Sequence, residues 1–186
     1  NDPALANADW VRQFILSPPF AWRWNRVEVP TIQTQIGVPD YQVSLPTFGW
    51  IEKAVLFYPE NGNIAQQLEV ENNLAPETVP NLPLKISAQL DDDAGNITFR
   101  LSPPPDAVYD LTVITQKAAP TFAALSDTWS PLPDYMSNIY TEGFLYRTFE
   151  YMNDPRTQEA YQIFMQSLAA VNQGLTDDQK SIFLGD

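Results

Sequence analysis

The chain has 186 residues, 44% of them hydrophobic, and a formal net charge of −13. This length allows one sizeable core, or one core with a small appendage. The chain contains neither cysteine nor histidine, which excludes a disulfide framework, thiol chemistry, and the commonest general base and neutral metal ligand.

The charge and the proline content further restrict the function. The ten basic residues are scattered singly, so tight binding to nucleic-acid phosphates is not expected. Seventeen prolines against seven glycines indicate rigid turns and extended segments rather than flexible linkers. We find no membrane-length apolar run and no signal peptide. The chain starts at Asn1 without Met, which leaves open whether residues precede it in the full-length protein.

The first predicted element is a helix. Between Ala8 and Ser17 large apolar side chains recur four residues apart, and Pro18 and Pro19 then end the helix. Trp22 and Trp24 alternate along the segment that follows. On an extended segment they would share one side, either within the core or against the helix end.

The middle of the chain has the two-residue period of β-strands. A hairpin is predicted where Leu84–Leu90 and Ile97–Leu101 alternate apolar and polar residues around a polar turn. The other predicted strands are Val27–Gln35, Tyr41–Leu45, Phe48–Tyr58, Gln67–Val70 and Val108–Gln116. The long aromatic-rich run of Phe48–Tyr58 predicts a central strand. Glu71–Pro83 has no periodicity and three prolines, which is typical of an irregular loop that is functional or bound to a partner.

The acidic stretch Asp91–Asn96 is interpreted as a solvated hairpin tip. A calcium loop of the EF-hand kind needs Gly at its sixth position and a distant bidentate Glu, whereas here Gly is fifth and no acid closes the loop. Phosphate-binding loops, nucleophile elbows and zinc spacings are also missing. We therefore predict no catalytic residue, no metal and no cofactor.

The last third of the chain predicts a helical hairpin. Apolar residues at helical spacing mark a first helix over Asp134–Met152: Met136, Ile139, Tyr140, Phe144, Phe149 and Met152. Gly143 interrupts this face at a cost of roughly 1 kcal/mol relative to Ala, which suggests close approach of another backbone.

The second helix of the hairpin follows the break Asn153-Asp154-Pro155. Asp154 is expected to cap this helix, and Pro155 to take its first position. Gly174 is the expected end of the second helix. Thr176–Gln179 has the pattern of a capping box for a last short helix.

One helix, about seven strands and then further helices predict an α+β fold. We expect a helical bundle, made of the N-terminal helix and the C-terminal hairpin, with an inserted antiparallel β-sheet or sandwich. The expected domains are residues 1–26 (helix and aromatic segment), 27–118 (β domain) and 119–186. The last comprises a connector, with a helical turn at Phe122–Leu125, and helices that pack with the N-terminal helix.

Several short motifs follow one another along the chain in an order that can be compared with known protein families. They are the W-x-W of Trp22 and Trp24, the strand Tyr41–Pro46, the segment Ile97–Asp106 followed by Tyr109, the helix with Gly143, and the break Asn153–Pro155. In this order they resemble the head-to-tail adaptor (connector or neck) proteins of tailed bacteriophages, the group beneath the portal in short-tailed phages.

The resemblance implies a structural virion protein rather than an enzyme. Copies would form a ring, a dodecamer, at the head–tail junction after assembly in the host cytoplasm. The expected partners are other copies, the portal protein and tail or nozzle proteins. Double-stranded DNA would pass through the bore without tight binding, because the acidic chain repels it.

Six aromatic or close-packing residues, together with the loop Glu71–Pro83, are the interface candidates: Trp22, Trp24, Phe122, Trp129, Tyr135 and Gly143. Two alternatives remain open. The many Trp and Tyr residues also suit a carbohydrate-binding module or a carboxylate-based glycosidase, and the strand-rich middle suits another tail-tube or baseplate protein.

Overall fold

The computed structural model describes residues 2–90, 95–124 and 127–172. Their α-helices and β-strands confirm the α+β class. Contacts divide the chain into a helical unit, residues 1–25 with 118–186, and a β unit, Arg26–Lys117. Residues 91–94 of the predicted acidic tip Asp91–Asn96, the helix end at Gly174 and the last short helix lie outside the described residues.

Three α-helices are described in the helical unit: α1 (Pro3–Leu16), α2 (Ser137–Tyr151) and α3 (Thr157–Val171). Helix α1 begins earlier than the predicted start at Ala8. The side chain of Asp2 accepts a hydrogen bond from the N–H of Ala4 at 2.9 Å, and Pro3 occupies the first helical position. Both features favour helix initiation, so the sequence before the apolar repeat already supports a helix.

The corner between α2 and α3 uses the predicted residues in a different way. Asn153 takes a left-handed φ of 51°, and the N–H of Asp154 reaches back to Phe149 O at 2.9 Å. These contacts end α2 in the manner of a Schellman motif. The carboxylate of Asp154 accepts the N–H of Arg156 at 2.8 Å. Helix α3 therefore starts at Thr157, and the prediction of Pro155 as its first residue is wrong.

The helical unit has one apolar core to which all three helices contribute. Its buried members include Val11, Ile15, Met136, Ile139, Phe164 and Leu168. Gly143 lies inside this core. A Cβ built there would lie 2.7 Å from Val11 Cγ1 and 2.8 Å from Phe164 Cε2. The close approach predicted at Gly143 is therefore made by two buried side chains, and not by another backbone.

The connector before α2 is irregular where it is described. Residues 122–124 are not helical; Leu125, the last residue of the predicted turn, lies outside the described residues. The carboxylate of Asp127 instead accepts hydrogen bonds from the N–H groups of Ala123 and Ala124, at 2.8 and 2.9 Å. Such local side-chain bonds satisfy the backbone donors without a helix, and they lower the pKa of Asp127.

The β unit contains a curled, mixed sheet with the strand order β1-β8-β4-β5-β6-β7-β3, and β2 also pairs with β8. The strands are β1 (Arg26–Glu28), β2 (Ile32–Gln33), β3 (Asp40–Ser44), β4 (Phe48–Phe57), β5 (Ile64–Val70), β6 (Lys85–Leu90), β7 (Asn96–Ser102) and β8 (Asp110–Lys117). Strand β4 lies inside the sheet, between β8 and β5, as predicted.

The expected purely antiparallel sheet is wrong in one place, because β5 and β6 pair in parallel. Parallel neighbours need a long crossover, and the irregular segment 71–84 provides it. The predicted strand Val27–Gln35 is also divided into β1 and β2. Pro30 lies in the gap between them and has no N–H to donate to a ladder.

The predicted hairpin is confirmed as the antiparallel pair β6–β7. Ile86, Phe99 and Leu101 are buried in the core of the β unit together with residues from β4 and β8. Leu84 departs from the pattern because it is 50% exposed. It lies before the first residue of β6, where the alternation no longer fixes the direction of the side chain.

Candidate assembly interfaces

Two of the candidate interface residues are buried within the helical unit. Trp22 is 3% exposed, and its indole N–H donates to Ile15 O at 2.7 Å. Gly143 is enclosed by Val11 and Phe164. Within the unit, both residues act as core residues.

Trp24 is only partly buried and stacks on Trp22, with the ring centroids 5.7 Å apart. Its indole nitrogen is shielded from solvent, yet within the described residues it has no hydrogen-bond acceptor. Buried polar groups are normally paired. Of the two tryptophans in the W-x-W motif, Trp24 is therefore the one whose indole N–H has no acceptor among the described residues.

Phe122 contacts α1 through the side chain of Arg12. The guanidinium of Arg12 lies 3.6 Å from the centroid of the Phe122 ring and donates to Ser130 O at 3.0 Å. Arg12 also bonds Pro120 O and, at 3.2 Å, Asp9. This buried cation thus holds the connector by several carbonyl groups at once.

A pocket of about 390 Å³ lies beside Phe122 and Trp129. Trp129 packs edge-on against Tyr140 at 5.5 Å, and Tyr140 donates to Ala8 O at 3.0 Å. Burial is the main cause of the raised pKa of Tyr140. The pocket walls are therefore fixed by packing and hydrogen bonds, and Asp127 contributes a carboxylate to the lining.

Several large hydrophobic side chains are exposed on or beside the helical hairpin. Tyr135, the remaining candidate, is 66% exposed. Other large hydrophobic side chains are exposed on or beside α2 and α3: Leu145, Tyr151, Met152, Tyr161, Ile163 and Val171. Met152, which the helical spacing predicts on the buried face, is instead 67% exposed. An amphipathic surface helix normally turns polar residues to solvent, so this surface suits contact with another protein.

A shallow groove of about 150 Å³ lies between α2 and α3. Leu145, Phe149 and Ile163 line it, and the guanidinium of Arg156 lies 4.4 Å from the Phe149 ring centroid. Glu142 also lines the groove, and its Oε2 is shielded from solvent with no donor among the described residues. The groove therefore combines apolar walls with one unpaired acceptor.

In the β unit, three irregular segments converge: residues 34–39, 71–83 and 103–109. We call them together the loop surface. The N–H of Gly37 donates to Pro105 O at 2.8 Å, and Asn81 forms a bridge with Pro105. A Cβ built on Gly37 would lie 4.0 Å from Pro80. One residue from each segment therefore meets at the same place.

Two tyrosines hold these segments. Tyr41 donates to Val38 O at 2.6 Å and accepts the N–H of Gln35 at 3.0 Å. Tyr109 donates to Asp106 Oδ1 at 2.8 Å, and burial, followed by this hydrogen bond, raises the pKa of Tyr109 to about 12. The N–H of Tyr109 also donates to the hydroxyl of Thr34 at 2.8 Å.

Comparison with known protein families identifies the chain. Residues 5–182 match the model of the SU10 adaptor protein family. The chain belongs to the SU10 adaptor protein family. No curated protein matches. Membership supports a phage head-to-tail adaptor: a structural virion component, which associates with portal and tail proteins, rather than an enzyme.

The motif residues of this SU10-type adaptor have structural roles. Tyr41 and Tyr109 hold loops, Asn153 and Asp154 build the α2–α3 corner, and Gly143 admits two core side chains. Among the described residues, no group of three or more acidic side chains is arranged to hold a metal ion. No helix in the described ranges is both long and apolar enough to cross a membrane.

Sequence reasoning missed the exposed apolar residues of the first loop segment, Ile36 and Val38. They lie in a short turn without periodicity, where an apolar residue cannot be assigned to core or surface. The neighbouring glycine and proline were the available indication, because they mark a rigid turn on which an apolar side chain is displayed.

Proposed function

We propose that copies of this adaptor form a twelve-membered ring between the portal and the tail of a short-tailed phage. The apolar outer surface of the α2–α3 hairpin is the observation that carries this proposal. In the ring, the hairpin of one copy packs against the next copy, and DNA passes through the bore.

Three side chains of the hairpin are exposed enough to be buried in a contact with another copy. Leu145 is 45%, Ile163 46% and Tyr151 67% exposed in the single chain. Burial of apolar surface contributes about 25 cal/mol per Å², so a contact that covers these side chains is favourable. A second copy is the occupant best supported, because an adaptor family match extends over both helices and a ring requires self-association.

The charge distribution supports DNA passage without retention. The chain carries a net charge of −13, and six of its ten cations form ion pairs with carboxylates in the described regions. Cations held in this way are less available to phosphates, and counterion release then contributes little to binding. A bore lined by such subunits would repel the duplex.

Light scattering of the purified adaptor, with and without the portal ring, tests the proposal. We expect the adaptor to be a monomer or weak oligomer alone and to form a twelve-membered ring on the portal. The double variant Leu145→Glu, Ile163→Glu should lose the ring while the single chain still unfolds cooperatively, because both side chains are about half exposed and lie outside the buried core of the helical unit.

Ile64→Glu is the matched control, since Ile64 is 65% exposed but lies on strand β5. It should form the ring normally. Failure of the unaltered adaptor to associate with the portal would refute the proposal. Normal ring formation by the double variant would show that the hairpin surface is not the contact between copies.

A further inference from the structure

The loop surface presents apolar side chains to solvent. Ile36 is 63% and Val79 74% exposed, and Val38, Leu84 and Val108 are also exposed within or next to the three segments. These side chains belong to loops joined by the contacts at Gly37, Asn81 and Pro105. The exposed residues are therefore grouped by the fold and not scattered along the unit.

The loop surface is also preorganised. Seven of the seventeen prolines of the chain lie in its three segments: Pro39, Pro76, Pro80, Pro83, Pro103, Pro104 and Pro105. Tyr41 and Tyr109 add hydrogen bonds to the first and third segments, and Ser102 bonds Glu77 of the second. Loops held in one conformation lose little entropy on binding, which leaves more of the contact energy for affinity.

The three segments themselves contribute only negative charges. They contain Glu71, Glu77 and Asp106 but no Lys or Arg. Two cations on the adjoining strands are paired with carboxylates: Lys85 with Glu71, and Arg100 with Asp40 at 2.7 Å. An apolar centre with an acidic rim attracts a surface with the opposite rim. A second copy, itself strongly acidic, is a poor match.

We propose that the loop surface is the docking site for a tail protein whose contact surface has apolar side chains surrounded by Lys and Arg. This inference rests on the proposed adaptor function, because only an adaptor receives a tail protein. The exposed Val79 and Ile36 occupy the centre of the contact, and the carboxylates at the rim orient the partner.

Val79→Lys, introduced into the phage that encodes the adaptor, tests the surface directly. The substitution removes a central apolar contact and places a cation against a basic partner. We expect the yield of tailed particles to fall by about ten-fold or more, since an unpaired charge in an apolar contact costs over 1.4 kcal/mol. Ile64→Lys, exposed on β5 outside the loop surface, should leave this yield unchanged.

Electron microscopy of the particles separates the outcomes. Tailless heads that still carry the adaptor on the portal would support the docking site. Normally tailed particles, or heads that have lost the adaptor as well, would overturn it. If the unaltered adaptor never associates with the portal, the proposed function fails, and this result is distinguishable from a loss of tails alone.

A photo-crosslinking residue, p-benzoylphenylalanine, in place of Val79 identifies the contacted protein in intact particles. Mass spectrometry should find the crosslink on a tail protein, in a peptide with apolar residues and Lys or Arg. A crosslink to the portal or to another adaptor copy would refute the inference, as would the absence of a crosslink at Val79.

Discussion

Gly143→Ala should destabilise the helical unit even though Ala is the better helix former. The new Cβ would lie 2.7 Å from Val11 Cγ1 and 2.8 Å from Phe164 Cε2, closer than real Cβ atoms approach their neighbours. Val11 and Phe164 are each 0% exposed, so a displacement of either side chain must push on other residues of the core. Overpacking of this kind costs roughly 1–3 kcal/mol.

The expected net effect follows from two opposing contributions. The higher helix propensity of Ala stabilises the helix by about 1 kcal/mol relative to Gly. Because both neighbours are enclosed, we take the upper end of the overpacking range, about 3 kcal/mol, and expect a net loss of about 2 kcal/mol. With a urea m-value of about 2 kcal/mol/M, the unfolding midpoint should fall by about 1 M.

Tryptophan fluorescence in urea is a suitable assay, because Trp10, Trp22, Trp24 and Trp129 all lie in the helical unit and only Trp50 lies in the β unit. The emission therefore reports the unit that carries the substitution.

Val11→Ala provides the matched background for this measurement. It removes the methyl group that a Cβ at position 143 would strike, so Gly143→Ala should cost less there, with a coupling energy of about 0.5–3 kcal/mol. The reasoning is refuted if Gly143→Ala stabilises the wild-type chain by about 1 kcal/mol, as propensity alone predicts. It is also refuted if the substitution costs the same in both backgrounds.

Two further predictions concern side chains that hold irregular segments. Arg12→Lys should destabilise the helical unit by about 2–4 kcal/mol, since one ammonium group cannot replace the hydrogen bonds of the guanidinium to Pro120 O, Ser130 O and Asp9. Urea unfolding measures this loss. An equal loss of stability in the exposed control Arg23→Lys would contradict the prediction. Tyr109→Phe should cost about 1 kcal/mol. Because the folded-state pKa of Tyr109 is raised to about 12, wild-type stability should decline as the pH rises from about 10 towards 12; a parallel decline in Tyr109→Phe would contradict this origin.

The sequence predicts local structure well where one short segment contains all of the determinants. The β6–β7 hairpin is an example, since alternation and a polar turn indicate both strands and their antiparallel pairing. The α2–α3 corner is another, although the sequence pattern indicates Asn153 only as part of a break. Its left-handed φ shows that the asparagine ends α2, and α3 begins only at Thr157.

Pairing between distant segments was less predictable. The parallel alignment of β5 with β6 places Glu69 opposite Lys85, and no periodicity within either strand distinguishes this from an antiparallel pair. The direction is decided by the course of residues 71–84, which have no regular pattern of their own. The same difficulty explains why one predicted strand is divided into β1 and β2.

The interface candidates show how far functional residues can be predicted from the sequence. A tryptophan in the core and a tryptophan at an interface have the same side chain, so Trp22 and Trp24 could not be separated by sequence. Their surroundings separate them, because the indole N–H of Trp22 has an acceptor at 2.7 Å and the described surroundings of Trp24 provide none. Hydrogen-bond satisfaction is a property of the fold and is not encoded in residue type.

The two proposed contacts use different side chains and different physics, and this difference bears on the order of assembly. The proposed contact between copies centres on the exposed apolar side chains of Leu145 and Ile163, and contact between apolar side chains depends little on charge. The loop surface has a small apolar centre with an acidic rim around Val79, and such surfaces depend on a charged partner for orientation and rate. Ring closure should therefore be insensitive to salt, whereas tail attachment should slow as salt screens the rim. A ring that closes first also presents many copies of the loop surface together, so that individually weak contacts act in concert when the tail arrives.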